Sequence, residues 1–344
     1  MMRFVAAFLA MSLAATTADA AAQTHGTLRV GIRIASAGEP GSAYSKFETS
    51  LCTAMRSGSR PRDWALAATA SPEPSRTIGA SAHFDGDLFR AAQAAPSDTL
   101  VQWLVANYGD AAPESSARRA AAIDTLTRLE PDNGAVWMQS LTAAAQRGDD
   151  DGVDNALARM AESRRFDDHF VDVTHAWIDV YDRHPPPATL STDAYDAGFV
   201  AAIAKAAATA MPAYQFVVIA CRPPPPGQGD FTRAASCTNA GHLMLERGNT
   251  LIARSIGFAI LRNLDAVTDA DRTTKRNLDW YRANVLRGTG EDGDVRDALA
   301  HESDWRQMDD EIDVIKSALR RAGLPTEAPE GWAPASSTGV ATAK

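Results

Sequence analysis

Residues 129–161 read LEPDNGAVWMQSLTAAAQRGDDDGVDNALARMA, and they spell one helical hairpin. Asp132 or Asn133 is placed to cap a first helix, because a short polar side chain there can accept a backbone N–H of the opening turn. Trp137, Leu141, Ala144 and Ala145 fall on one face of that helix, and Gly148 stands where a left-handed terminator belongs. Asp149, Asp150 and Asp151 open a second helix striped by Val153, Ala156, Leu157, Met160 and Ala161. Neither helix can bury its stripe alone, so the unit demands helical neighbours. The fold class that follows is all-α, an irregular α-α solenoid.

The rest of the chain keeps a helical period. Short helices are expected over 64–70 and 85–95, then one restarted by Asp98 that carries Leu100, Leu104 and Tyr108. Ser115 or Ser116 is the expected cap of the next, with Ile123, Leu126 and Leu129 inward. Residues 168–182 form a helix burying Phe170, Val173, Trp177 and Tyr181, and Thr192 caps an Ala-rich successor. The apolar run 214–221 fits a buried helix better than a strand, given its helical neighbours. Further helices are expected up to Gly248, from Asn249 or Thr250 onward, over 268–287, and as one piece over 305–321. Gly323 and Pro325 end the fold, and residues 325–344 are expected to be a disordered tail.

The 344 residues carry a formal charge of -9, with 45 % apolar and 7 % aromatic residues. An acidic chain without a basic cluster lacks the electrostatic footprint of a nucleic-acid binder. Residues 1–20 join a basic Arg3, an apolar run from Phe4 to Ala15 and the triplet Ala18, Asp19, Ala20, the pattern of a secretory signal peptide. The run is shorter than the roughly 18 apolar residues that span a bilayer, so cleavage after Ala20 and a periplasmic or secreted destination are expected, with no membrane span. Residues 21–60 are expected to be an irregular N-terminal segment, leaving 61–324 as the helical body. An oxidising compartment gives meaning to the three cysteines. Cys221 and Cys237 bracket a proline-rich loop and are the favoured disulfide; Cys52 is then free or paired between chains.

Trp103 and Trp137 are thirty-four residues apart. With that spacing, the order Pro131, Asn133, Trp137, Gly148, Asp149 and Val153 resembles the tetratricopeptide repeat. The resemblance covers one unit, roughly a tenth of the chain, and departs where Ser140, Leu141 and Ala144 replace the family's usual residues. It implies stacked helical hairpins and a concave face for a protein or peptide partner. The rest of the chain is similar in flavour to exported bacterial proteins without an assigned activity.

Chemistry is sparse. Asp168, Asp172, His175, Asp179 and Asp182 recur at helical spacing and would form one acidic stripe with an imidazole in it. Asp168, Asp172, His175 and Asp179 are therefore the candidate ligands of a divalent cation, the alternative being a solvated helix face. The glycines of GTGEDG, 288–293, have the letter pattern of a dinucleotide loop, but no strand precedes them and the adjacent acids would repel phosphate. His242 and Glu246 share a helical face. No cofactor and no catalytic constellation is indicated. The expected function is an exported, non-enzymatic scaffold for a protein or peptide; the alternative is a metal-dependent or hydrolytic enzyme using the 168–179 face.

Overall fold

A computed structural model describes residues 42–70, 82–108, 113–190, 197–224, 231–285 and 302–334. The described residues hold fifteen α-helices, one 3-10 turn and two isolated backbone bridges. The helices are α1 Ala43–Ser57, α2 Pro61–Ala70, α3 Ala82–Ala94, α4 Thr99–Tyr108, α5 Pro113–Leu129, α6 Gly134–Arg147, α7 Asp150–Glu162 and α8 Phe170–Arg183. After a 3-10 turn at Ala188–Leu190 come α9 Ala197–Thr209, α10 Gln215–Ala220, α11 Ala234–Arg247, α12 Leu251–Asn263, α13 Asp269–Val285, α14 Glu302–Gln307 and α15 Glu311–Arg321.

The α6–α7 hairpin forms as its caps dictate. The Asn133 side chain accepts the Ala135 N–H at 3.2 Å, Gly148 sits at φ 69°, and the Asp149 carboxylate accepts the Gly152 N–H at 2.9 Å. Val153, Ala156, Leu157 and Met160 are buried on α7. On α6 the buried face centres on Val136, Met138, Leu141 and Ala144, with Trp137 at its margin, where its indole N–H donates to the Pro131 carbonyl at 2.8 Å. Trp103, thirty-four residues earlier, is fully buried instead and donates to the Ala210 carbonyl at 3.2 Å.

Helices adjacent in sequence pack as pairs, α2 with α3, α4 with α5, α6 with α7, α8 with α9 and α11 with α12. The last pair crosses closely because glycines meet there: a Cβ on Gly257 would stand 2.6 Å from the Gly241 carbonyl and 2.5 Å from the Leu245 nitrogen. Helices distant in sequence also meet, α2 with α8 and α9, α7 with α11, and α8 with α14. Ion pairs cross these contacts. Arg183 of α8 grips Asp63 of α2 with two hydrogen bonds of 2.7 and 2.9 Å. Buried Glu48 of α1 accepts the Tyr181 hydroxyl at 2.8 Å and pairs with the Lys205 ammonium at 2.5 Å. A large apolar core runs from α1 to α12, and a smaller one joins α11 to α15 with Leu278, Trp280, Ile312 and Leu319.

Several expectations change. Residues 43–57, read as irregular, form α1, whose buried face is Leu51, Cys52 and Met55. The helix after residue 112 begins at Pro113, ahead of both serines considered as its cap. The span 305–321 is two helices, because Asp310 leaves helical geometry at φ -139° and its carboxylate caps the Ile312 N–H at 2.6 Å. Nor does the fold stop at Pro325. The Pro325 carbonyl accepts the Trp280 indole N–H at 2.9 Å, Ala328 is buried, and Trp332 stacks edge-on against Trp280 with ring centres 5.3 Å apart. The signal-peptide segment, Thr192, the 288–293 glycines and residues 335–344 lie outside the described residues.

Cys221 and Cys237 form a disulfide, S–S 2.07 Å, that ties the end of α10 to α11. Cys52 is a free, buried thiol. Among the described residues no helix is long and apolar enough to cross a membrane.

Candidate functional site

The polar residues converge where four interhelical connections meet. The α7–α8 connection lies between the α5–α6 and α11–α12 connections: Gly134 N donates to the Arg165 carbonyl at 2.8 Å, and Asn249 N to the Phe166 carbonyl at 3.1 Å. Glu311 N, at the start of α15, extends the series by donating to the Asn249 carbonyl at 3.0 Å. Side chains fill the space between. The Asn133 amide nitrogen donates to the Asp167 carbonyl at 2.9 Å and to Glu130 at 2.8 Å, while its oxygen accepts the Asp167 N–H at 2.9 Å. Asn249 donates to the Asp167 carboxylate at 2.6 Å.

Asp168 is entirely buried. Its carboxylate accepts the Tyr214 hydroxyl at 2.6 Å, the Thr250 hydroxyl at 2.9 Å and the Phe170 N–H at 3.2 Å. Burial pushes its pKa up, and the three donors oppose that by stabilising the charged form. Burial also carries the Tyr214 hydroxyl well above its ordinary value, reinforced by the Asp168 carboxylate. Glu311 accepts the Leu251 N–H at 2.8 Å, and burial raises its carboxyl to about 7.

His169 follows in a left-handed conformation, φ 56°, with a side chain only 2 % exposed. Its Nδ1 lies 2.8 Å from Asp172 and its Nε2 3.1 Å from Glu130, while the ring packs on Trp103 with centroids 4.9 Å apart. Burial opposes a charge on this ring, but the hydrogen bonds to Asp172 and Glu130 win and raise its pKa to about 10. Burial likewise opposes charge on Glu130, yet His169, Asn133 and Arg165 bring its carboxyl down to about 2. Near neutral pH the ring is therefore an imidazolium donating to both carboxylates. With both ring nitrogens engaged by carboxylates, His169 holds the connection in place, and donor atoms of Asp167, His169 and Asp172 lie within 4.8 Å of one another.

The stripe expected along 168–179 loses Asp168, while Asp172, His175 and Asp179 remain on the outer face of α8. Helix α8 begins only at Phe170, and the left-handed His169 turns Asp168 inward, away from the helical wheel. Asp172 serves His169. The His175 Nε2 meets the Trp305 carbonyl of α14, and Asp179 pairs with Arg60 at 2.9 Å and Arg183 at 3.3 Å. Asp182, the next along, is held by Arg306. Each member of the proposed cation set thus has a separate partner, and the four donors do not converge. His242 and Glu246 do share a face of α11, and a second acid, Asp271 of α13, stands with them.

Glu130, Asp167, Tyr214, Asn249 and Thr250 were not signalled by spacing. They come from connections and helix ends up to 82 residues from their partners in the chain, and only Asn133 and the caps at 249–250 carried a local cue.

A separate groove opens between α3, α4 and α5, with a volume of about 220 Å³. Leu88, Ala92, Val105 and Ala122 give it an apolar lining. Phe89, 36 % exposed, stands in the same lining with the Arg118 guanidinium 4.1 Å above its ring.

No family model matches the chain, and comparison with curated proteins and with solved structures finds no match either.

Proposed function

We propose that this is an exported, non-enzymatic helical scaffold, tetratricopeptide-like in its hairpin units, that holds an apolar segment of a peptide or protein partner in the α3–α4–α5 groove. The groove carries the reading. It is an open apolar concavity with an arginine stacked on a phenylalanine, two residue types enriched at protein interfaces. An amphipathic helix or extended strand can seat one or two side chains in a space of that size. By contrast, the acids and histidine of the polar junction are taken up by one another and by their neighbours. The solenoid reading draws support from the Asn133–Asp167 contact, which joins equivalent turns thirty-four residues apart in sequence. Export is supported by the Cys221–Cys237 disulfide, a bond that persists in oxidising compartments.

The test is crosslinking capture from envelope extract with the wild type and with Phe89→Asp, whose partly exposed position tolerates the change without loss of fold. A partner recovered by the wild type and lost by Phe89→Asp, at equal thermal stability, is the expected result. Equal recovery by both would remove the groove from the account, and no partner for either would remove the scaffold reading.

A further inference from the structure

His242, Glu246 and Asp271 have no part in the junction or the groove. His242 and Glu246 stand one turn apart on α11, and Asp271 projects from the first turn of α13. The His242 Nδ1 lies 3.3 Å from an Asp271 oxygen and 3.9 Å from a Glu246 oxygen, and the three donor atoms fall within 4.8 Å of one another.

Three observations separate this group from an ordinary surface cluster. First, the Asp271 side chain is only 4 % exposed and is oriented from behind: its Oδ2 accepts the Thr268 N–H at 2.8 Å and the Thr268 hydroxyl at 2.7 Å, which leaves Oδ1 toward the histidine. Such outer hydrogen bonds are how metal-binding carboxylates are held in place. Second, the His242 side chain is 29 % exposed, but its Nδ1 is shut off from solvent and has no hydrogen-bond partner among the described residues despite the two acids beside it. A buried polar atom left in that state is destabilising, and a metal ion is one partner that an imidazole nitrogen accepts. Third, two basic side chains on the same turns of α13 are engaged elsewhere, Arg272 with Asp269 and Lys275 with Asp279.

The spacing also has a chemical meaning. Bonds of about 2.0–2.1 Å to a tetrahedral zinc ion place neighbouring donor atoms about 3.3 Å apart. The His242–Asp271 separation already meets that, and Glu246, 57 % exposed, needs only a small swing of its side chain. One imidazole with two carboxylates suits zinc and its divalent transition-metal neighbours better than calcium or magnesium, which take oxygen.

We infer that His242, Glu246 and Asp271 bind one divalent transition-metal ion of the zinc class, through Nδ1 and two carboxylate oxygens. The ion ties α11 to α13, and so the larger apolar core to the smaller one that α13 shares with α15.

The experiment is calorimetric titration of chelator-stripped full chain with zinc chloride near neutral pH, repeated on His242→Gln and Glu246→Gln. The expected result is one equivalent bound by the wild type, with a rise in Tm. Affinity should fall by at least the ~10–100-fold that loss of an outer hydrogen bond typically brings in His242→Gln, and clearly in Glu246→Gln. The Glu246 position is exposed enough that its variant folds even if His242→Gln does not. Absence of heat at millimolar zinc overturns the inference, as does undiminished binding in Glu246→Gln. Binding lost instead in Asp172→Asn would overturn it too, by placing the ion at the Asp167–His169–Asp172 cluster.

Discussion

The two ends of helix α7 are built on opposite principles. At its start, Gly148 and Asp149 make a turn from their own backbone and side-chain chemistry, the hydrogen bonds of these two residues reaching no more than five positions along the chain. Only Arg233 comes from afar, to Asp150 and Asp154 on the outside. At its end, residues 163–169 hold their shape through Asn133, Glu130, Tyr214, Asn249 and Thr250, all supplied by other connections. The first turn is autonomous and the second is borrowed. A self-contained turn can tolerate losing a partner, whereas a shared one passes the loss to every element that meets there.

Substitutions at the two ends should therefore differ in size. Asp168→Ala strands the Tyr214 and Thr250 hydroxyls and the Phe170 N–H in the interior, and a loss of about 3–5 kcal/mol is expected in urea unfolding. A loss near 1 kcal/mol would mean that the connection is less interdependent than its geometry indicates. Asn133→Ala removes a helix cap together with its bonds to Asp167 and Glu130, and should lose about 2 kcal/mol in the same assay. Asp149→Ala removes only a local cap and should lose about 1 kcal/mol. If Asp149→Ala equalled Asp168→Ala, the contrast between the two ends would fail.

The pH dependence sharpens the same contrast. The His169 pKa rises from 6.5 to about 10 in the fold, so its contribution is complete below 6.5 and disappears as pH climbs through 10. Glu130 moves from 4.5 down to about 2, so its contribution is present above 4.5 and lost as pH falls through 2. Glu311, raised from 4.5 to about 7, adds a decline across that interval that wild type and a His169 variant share. The stability difference between wild type and His169→Gln should therefore be greatest between about pH 4.5 and 6.5 and shrink on both sides. Unfolding curves across that range check it; a flat difference would show that His169 titrates alike in the folded and unfolded chain.

What the sequence made legible follows the same division. Asn133, Gly148 and Asp149 announce their roles because caps and left-handed terminators depend on residues a few positions away. The buried faces of α7 and α8 are legible for the same reason, since a helical wheel is a local rule. That rule fails at Asp168, where a left-handed neighbour breaks the wheel, and at Asp310, where a cap divides what reads as one stripe. Trp137 suggests a core position by its size, yet its indole N–H draws it to the helix entry. The junction itself was invisible, because nothing near Tyr214 or Thr250 says that an aspartate from another connection will reach them. Cys221 and Cys237 were legible as a pair because the chain between them is short.

Cys52 carries a practical consequence. It lies 2 % exposed on α1, and burial raises its thiol pKa, so in the folded chain it is both shielded and poorly nucleophilic. A thiol reagent can reach it only when α1 lifts from α2 or the whole core opens. The odd cysteine thus makes the protein its own gauge of opening: its labelling rate, measured against denaturant, reports how often the amino-terminal helices detach without any probe being added to the chain.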